Sequence, residues 1–129
     1  MRGSRRIEDV LAVLDARSES PGETRTRLAL ATAGMPAPAL QYEIPTSRGL
    51  FRADFAWPDL LVILEFDGGS KYFDYRPTSE ALLLERQREV ALMEVGWTVV
   101  RTRWAELMTP EVIVAKLEAA FARARRLSA

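Results

Sequence analysis

The chain contains no cysteine and no histidine. The first absence removes disulfides, thiolate metal sites and thiol nucleophiles. The second is the stricter constraint, because Ser-His-Asp triads, Cys-His pairs and histidine-ligated zinc all become impossible. Any metal centre must then be built from oxygen ligands, which selects hard cations such as Mg²⁺, Mn²⁺ or Ca²⁺. Net charge is missing too: 18 Lys and Arg balance 18 Asp and Glu. A passive nucleic-acid coat would carry a global basic surplus, and this chain has none. Lysine is scarce, with only Lys71 and Lys116 beside 16 arginines. A lysine near an acidic strand is therefore a candidate for chemistry of its own. No apolar run approaches the roughly 20 residues that a membrane-spanning helix needs, and no secretory leader pattern opens the sequence. These absences set the expectation of a cytoplasmic protein with no membrane partner.

What is present suits one domain. At 129 residues and 48% hydrophobic composition, the whole chain 1–129 can bury a substantial core. Ile7, Val10, Leu11 and Leu14 recur at helical spacing, so Ile7 to Arg17 reads as an amphipathic helix. Ser20-Pro21-Gly22-Glu23 has the form of a capping box with proline at the first helical position. The helix it opens should run to about Ala33 and stop at Gly34. Strands are expected over Leu40–Ile44, Leu50–Trp57 and Leu60–Asp67, the first two joined by a hairpin turn at Thr46–Gly49. Lys71–Pro77 reads as a loop, Thr78 caps a long helix ending before Gly96, and Trp97–Arg101 is a fourth strand. Trp104–Met108 adds a helical turn before a last helix from Pro110 to about Arg126. The expected fold class is α/β: a four-stranded mixed sheet flanked by helices, in the order α-βββ-α-β, with extra N- and C-terminal helices.

Two strands carry acids where apolar residues are expected. Asp54 interrupts Leu50–Trp57, and Glu65 and Asp67 close the run that begins at Leu60. A buried carboxylate is costly unless a cation neutralises it. Side chains alternate along a strand, which puts Phe51, Ala53, Phe55 and Trp57 on one face and Arg52 with Asp54 on the other. Ile63, Glu65 and Asp67 share a face of the next strand. Asp54, Glu65 and Asp67 are thus the candidate metal ligands. Glu23, in the first turn of the preceding helix, is placed to close over them. Such oxygens suit Mg²⁺ or Mn²⁺ with water completing the shell, and a bound dication favours phosphodiester hydrolysis. Lys71 is the candidate ammonium for orienting the attacking water or stabilising the transition state. Arg88 lies in the middle of an apolar stripe formed by Leu84, Ala91, Leu92 and Val95. It is expected to be a buried arginine that pairs with Glu23 or Glu65, or else takes substrate phosphate.

Five segments together resemble the PD-(D/E)XK nuclease superfamily. They are Ser20-Pro21-Gly22-Glu23 with Arg27; Gln41; Arg52-Ala53-Asp54-Phe55-Ala56-Trp57; Glu65-Phe66-Asp67-Gly68 with Lys71-Tyr72; and Glu85 to Glu89 followed by Leu92, Gly96-Trp97 and Val100-Arg101. The nearer likeness is to its very-short-patch-repair-like endonuclease branch, a domain also found at the C-terminus of abortive-infection antitoxin-like proteins. The resemblance covers about residues 18–104 and implies a restriction-endonuclease-like core. It implies a metal-dependent DNA endonuclease in which Asp54 and Glu65 bind the metal and Glu23 is an accessory acid. Arg88, Gln87 and Arg52 are the substrate-binding candidates, and DNA is the expected partner. One position departs from the superfamily pattern: Asp67 stands two after Glu65, where lysine is usual. The basic partner is then expected from the following loop, at Lys71.

The alternative expectation keeps the fold without the chemistry. It is an inactive nuclease-fold module for nucleic-acid or protein binding, a fragment of a longer toxin-antitoxin-type regulator, and the start at Met1 so close to the first core helix suits it. A third reading, an enzyme on small phosphate esters of nucleotides, lacks any Walker-type or dinucleotide glycine fingerprint.

Overall fold

The computed structural model describes residues 20–67 and 78–128. The expected helix Ile7–Arg17 and the loop carrying Lys71, Tyr72, Phe73 and Tyr75 lie outside the described residues.

Helix α1 (Pro21–Thr32) starts as its sequence dictates. The Ser20 hydroxyl accepts from the Glu23 amide at 3.2 Å, and the Glu23 carboxylate accepts from the Ser20 amide at 3.0 Å. The capping box thereby satisfies two amides that a helix start would otherwise leave unpaired. After Gly34 (φ 72°), Pro36 and Pro38 lead to β1 (Ala39–Thr46). Thr46 organises the hairpin turn, its hydroxyl donating to the Gly49 carbonyl at 2.7 Å and accepting from the Arg48 amide at 3.1 Å. Strand β2 (Gly49–Trp57) runs back and a short turn leads to β3 (Val62–Phe66). Thr78 caps α2 (Ser79–Glu94), whose end at Val95 passes through Gly96 (φ 93°) into β4 (Thr98–Thr102). A single turn, α3 (Trp104–Leu107), precedes α4 (Pro110–Ser128).

The sheet order is β1-β2-β3-β4. β1/β2 and β2/β3 are antiparallel, and β3/β4 is parallel. The mixed four-stranded sheet flanked by helices is the architecture expected from the sequence.

A separate core lies on each face. On one, Phe55, Trp57, Val62, Leu64 and Val100 meet Leu30 of α1 and Ile113, Leu117 and Phe121 of α4. Trp57 stacks edge-on against Phe121 at 5.1 Å and donates its indole N–H to the Pro36 carbonyl at 2.9 Å. On the other face, Ile44, Phe51, Ala53, Ala56 and Ile63 meet Leu92 of α2 and Trp97.

Two expectations are corrected here. Strict alternation along β2 fails: Phe51 and Ala53 belong to the α2-side core, whereas Phe55 and Trp57 belong to the opposite one. The strand changes face at Asp54. The residue of β1 standing across from it, Gln41, takes φ 49°, with regular pairing resuming on either side at Leu40↔Phe55 and Tyr42↔Ala53. Nor is Arg88 buried in an apolar stripe. Ala91 and Leu92 are buried, but Leu82, Leu83 and Leu84 are 52%, 56% and 53% exposed, and Arg88 is exposed with them. The physical reason is length. Sixteen helical residues span about 24 Å, while the five-residue strands β3 and β4 span about 17 Å. The first half of α2 overhangs the sheet.

Strand β4 forms one margin of the sheet. Lys116 of α4 reaches it, donating to the Arg101 carbonyl at 3.2 Å while pairing with Glu106 at 2.6 Å.

Candidate functional site

The site begins where β2 and β3 part. Their ladder runs Trp57↔Val62, Ala56↔Ile63, Phe55↔Leu64 and stops. Continued by one step, the same register sets Asp54 opposite Glu65. The two strand acids therefore stand at a fork in the sheet. Asp54 fills it, its Oδ2 accepting from the Phe66 amide at 3.4 Å.

Glycine brings a third acid to the fork. A Cβ on Gly22 would lie 2.0 Å from the Phe66 ring, so only glycine lets the first turn of α1 rest against the end of β3. Phe66 is held from its other side by Trp104, edge to face at 5.2 Å. The buried Thr26 hydroxyl donates to the Gly22 carbonyl at 2.7 Å and tightens the same turn. Glu23, the next residue, thereby stands beside Asp54, near enough for its carboxyl group to act on that of Asp54. The Glu23 side chain thus caps the helix while standing beside Asp54.

The electrostatics follow from this crowding. Burial, the adjoining Glu23 carboxyl and repulsion from Glu65 push the Asp54 carboxyl up to about 7; the Phe66 amide pulls the other way. Glu65 is also raised, chiefly by burial, with Arg101 and Arg88 opposing the shift and Glu85 and Glu89 adding to it. The fork holds more negative charge than its surroundings neutralise. Carboxylate oxygens in that condition suit a hard dication in their donor chemistry. Among the described residues, however, no three acids are gathered tightly enough to hold a metal ion as they stand. Asp67 lies one residue beyond β3 with an exposed side chain, its amide continuing the ladder to the Thr102 carbonyl at 2.8 Å. It is not among the groups that act on Asp54.

A cleft of about 320 Å³ opens beside Glu65, between α2 and the sheet, and is lined by Phe51, Leu84, Glu85, Arg88, Glu89 and Arg101 among others. The Arg88 guanidinium lies over the Phe51 ring, 4.7 Å from its centre. Its positive charge faces Glu65 across this cleft; it does not reach Glu23. Gln87 is partly exposed on the same helix, and Arg52 is exposed on β2 across from Glu43. Neither is drawn to the fork. A larger apolar groove of about 650 Å³ between α1 and α4 contains none of these acids. Lys71 lies outside the described residues.

Sequence reasoning missed two features. Gly22 was read only as part of a capping box, although glycine inside a first helical turn is itself a signal of close approach. The other is the set of acids around Arg101. Glu85 accepts from it at 2.6 Å and Glu89 at 3.2 Å. Their i, i+4 spacing on one helix face was the signal available.

Comparison with known proteins adds relatives without adding a function. The chain is 34% identical over 100 residues to the uncharacterized proteins MT2308 and Rv2248 from two strains of Mycobacterium tuberculosis. The match takes in 77% of this chain and 35% of each relative, so the chain spans about a third of their length. No family model and no solved structure matches it.

Proposed function

We propose that this domain is a metal-dependent DNA endonuclease whose site is the β2/β3 fork. One observation carries the proposal: burial first, and the neighbouring acids Glu23 and Glu65 after it, hold the Asp54 carboxyl at the fork up to about 7. A carboxyl cluster that resists full ionisation gains most from a dication that completes it. Asp54 and Glu65 would hold Mg²⁺ or Mn²⁺, with Glu23 adjoining. Bound there, the ion supplies neutralisation of a phosphate and acidification of a water. The protein's own contributions are distinct from that. Gly22 sets the depth of Glu23, the Phe66 amide fixes the Asp54 rotamer, and Arg88 offers phosphate a guanidinium on the cleft side. Lys71 is the proposed ammonium near the attacking water. The test is nicking of plasmid DNA with Mg²⁺ or Mn²⁺. The expected outcome is activity in the unaltered protein and none detectable in Asp54→Ala or Glu65→Ala. Activity surviving in both variants rejects the site.

A specific observation favours a second reading, the nuclease fold without catalysis. Asp67 replaces the usual lysine two positions after Glu65, and among the described residues the cations that act on Glu65 are arginines. An inactive module binds DNA or a protein partner without cleaving, and calorimetry with Mn²⁺ gives no heat of binding. Such a domain within a longer regulator accords with the chain matching about a third of its relatives.

A further inference from the structure

We propose that Glu85 and Glu89 are positioning residues that hold Arg101 away from Glu65, so that Glu65 remains an unpaired carboxylate at the fork. The inference rests on the reading of Glu65 as a working acid of that site.

Four observations lead to it. The parallel register of β3 and β4 sets Arg101 directly beside Glu65. A half-buried arginine next to a half-buried carboxylate ordinarily pairs with it, because charge-assisted hydrogen bonds are strongest where water is scarce. Here the guanidinium turns the other way, Nη1 to Glu85 at 2.6 Å and Nη2 to Glu89 at 3.2 Å. Among the described residues Glu65 makes no ion pair or side-chain hydrogen bond, although Arg101 is the cation that acts on it most strongly. The second nearby cation is occupied as well, since Arg88 lies over Phe51.

The arrangement is a competition for one guanidinium. Two acids one helical turn apart outbid a single strand acid, and α2 carries both. With those acids neutralised, the best remaining acceptor for Arg101 is Glu65, and forming that pair would quench the site from within.

The experiment compares Glu65→Gln in two backgrounds, the unaltered chain and the double variant Glu85→Gln/Glu89→Gln. Thermal unfolding is followed without metal at about pH 7.5. In the unaltered background Glu65 is partly buried with no ion-pair partner among the described residues, and Glu65→Gln is expected to raise Tm or leave it unchanged. In the double-variant background Glu65 has gained Arg101, and the same substitution is expected to lower Tm. The same sign in both backgrounds overturns the proposal. A second measurement is Mn²⁺ affinity by calorimetry in about 0.3 M KCl, where distant charges are screened. The double variant is expected to bind at least about tenfold more weakly, and adding Arg101→Gln should restore most of the affinity. A scaffold role for the two acids predicts no recovery, because removing Arg101 then only adds damage. If the unaltered protein takes no Mn²⁺, the metal reading falls alone, and the sign of the melting shift still decides whether these acids restrain Arg101.

Discussion

Asp54 and Glu65 occupy neighbouring positions at one fork, yet their surroundings are opposite in character. Asp54 faces α1, where its company is another acid and a single backbone amide. Glu65 faces the other way, where two guanidinium groups, Arg101 of β4 and Arg88 of α2, offset its burial. The same residue chemistry, one register step past the last paired rung, is left overcharged on one side and tempered on the other. The contrast shows that burial raises both acids and that their charged neighbours then set them apart. The sheet delivers the two carboxylates; α1 on one side, and β4 with α2 on the other, decide which charges each one meets.

The comparison can be broken most forcefully at Gly22. Gly22→Ala drives a methyl into the Phe66 ring. Overpacking of this kind costs about 1–3 kcal/mol, read as a lower urea midpoint. It should also part Glu23 from Asp54 and bring the Asp54 carboxyl down towards the ordinary range, measurable by carboxyl NMR titration.

Asp54→Asn should act in the opposite direction. Asp54 is raised from 3.8 to about 7, so the folded state holds a proton that the unfolded state has released. Stability is therefore lost as pH climbs from about 4 through about 7. Asparagine escapes that loss. The full shift corresponds to about 4 kcal/mol, and partial exposure of the group reduces the expected gain to about 1–2 kcal/mol at pH 8. The gain should fade to nothing near pH 4, and urea melts across pH will show it. A gain that persists undiminished at pH 4 would mean that packing, not charge, is responsible. Glu65→Gln should give the same sign with a smaller gain, because Arg101 and Arg88 already offset its charge.

Mn²⁺ sharpens the comparison without a mutation. At pH 8 it should raise Tm in the unaltered chain and fail to do so in Asp54→Asn, since the relief it offers has been removed. The smallest effect belongs to Arg88→Ala, which uncovers Phe51. A cation over an aromatic face at a solvent-exposed position contributes about 0.5–1 kcal/mol, and the loss should appear as a correspondingly small fall in the urea midpoint.

Much of this was legible in the sequence. Ser20 to Glu23, Thr46 to Gly49, Thr78 and Gly96 each carry local chemistry that fixes an element boundary, and each does so in the structure. Asp54 and Glu65 were visible as acids in apolar strands, and their shared fork follows from strand order alone. The change of face in β2 was not visible. Alternation is a local rule, whereas Asp54 departs from it across from a β1 residue, Gln41, held at positive φ; nothing in the composition of either segment marks the event. Arg88 was misplaced for a related reason. Periodicity tells which face of α2 is apolar, but how much of that face finds a sheet beneath it depends on the length of β3 and β4. The positions of Glu85 and Glu89 on α2 were readable, but their partner came from a strand whose neighbour only the topology supplies.

Lys116 has a consequence beyond the site. A sheet margin is an open row of amides and carbonyls, and any extended chain can lengthen the sheet by docking there. At β4 an ammonium already sits on the Arg101 carbonyl, anchored behind by Glu106. A would-be fifth strand must evict that ammonium and strand its counter-ion before it gains its first rung. One of the chain's two lysines thus occupies an acceptor that any further strand on this margin would need.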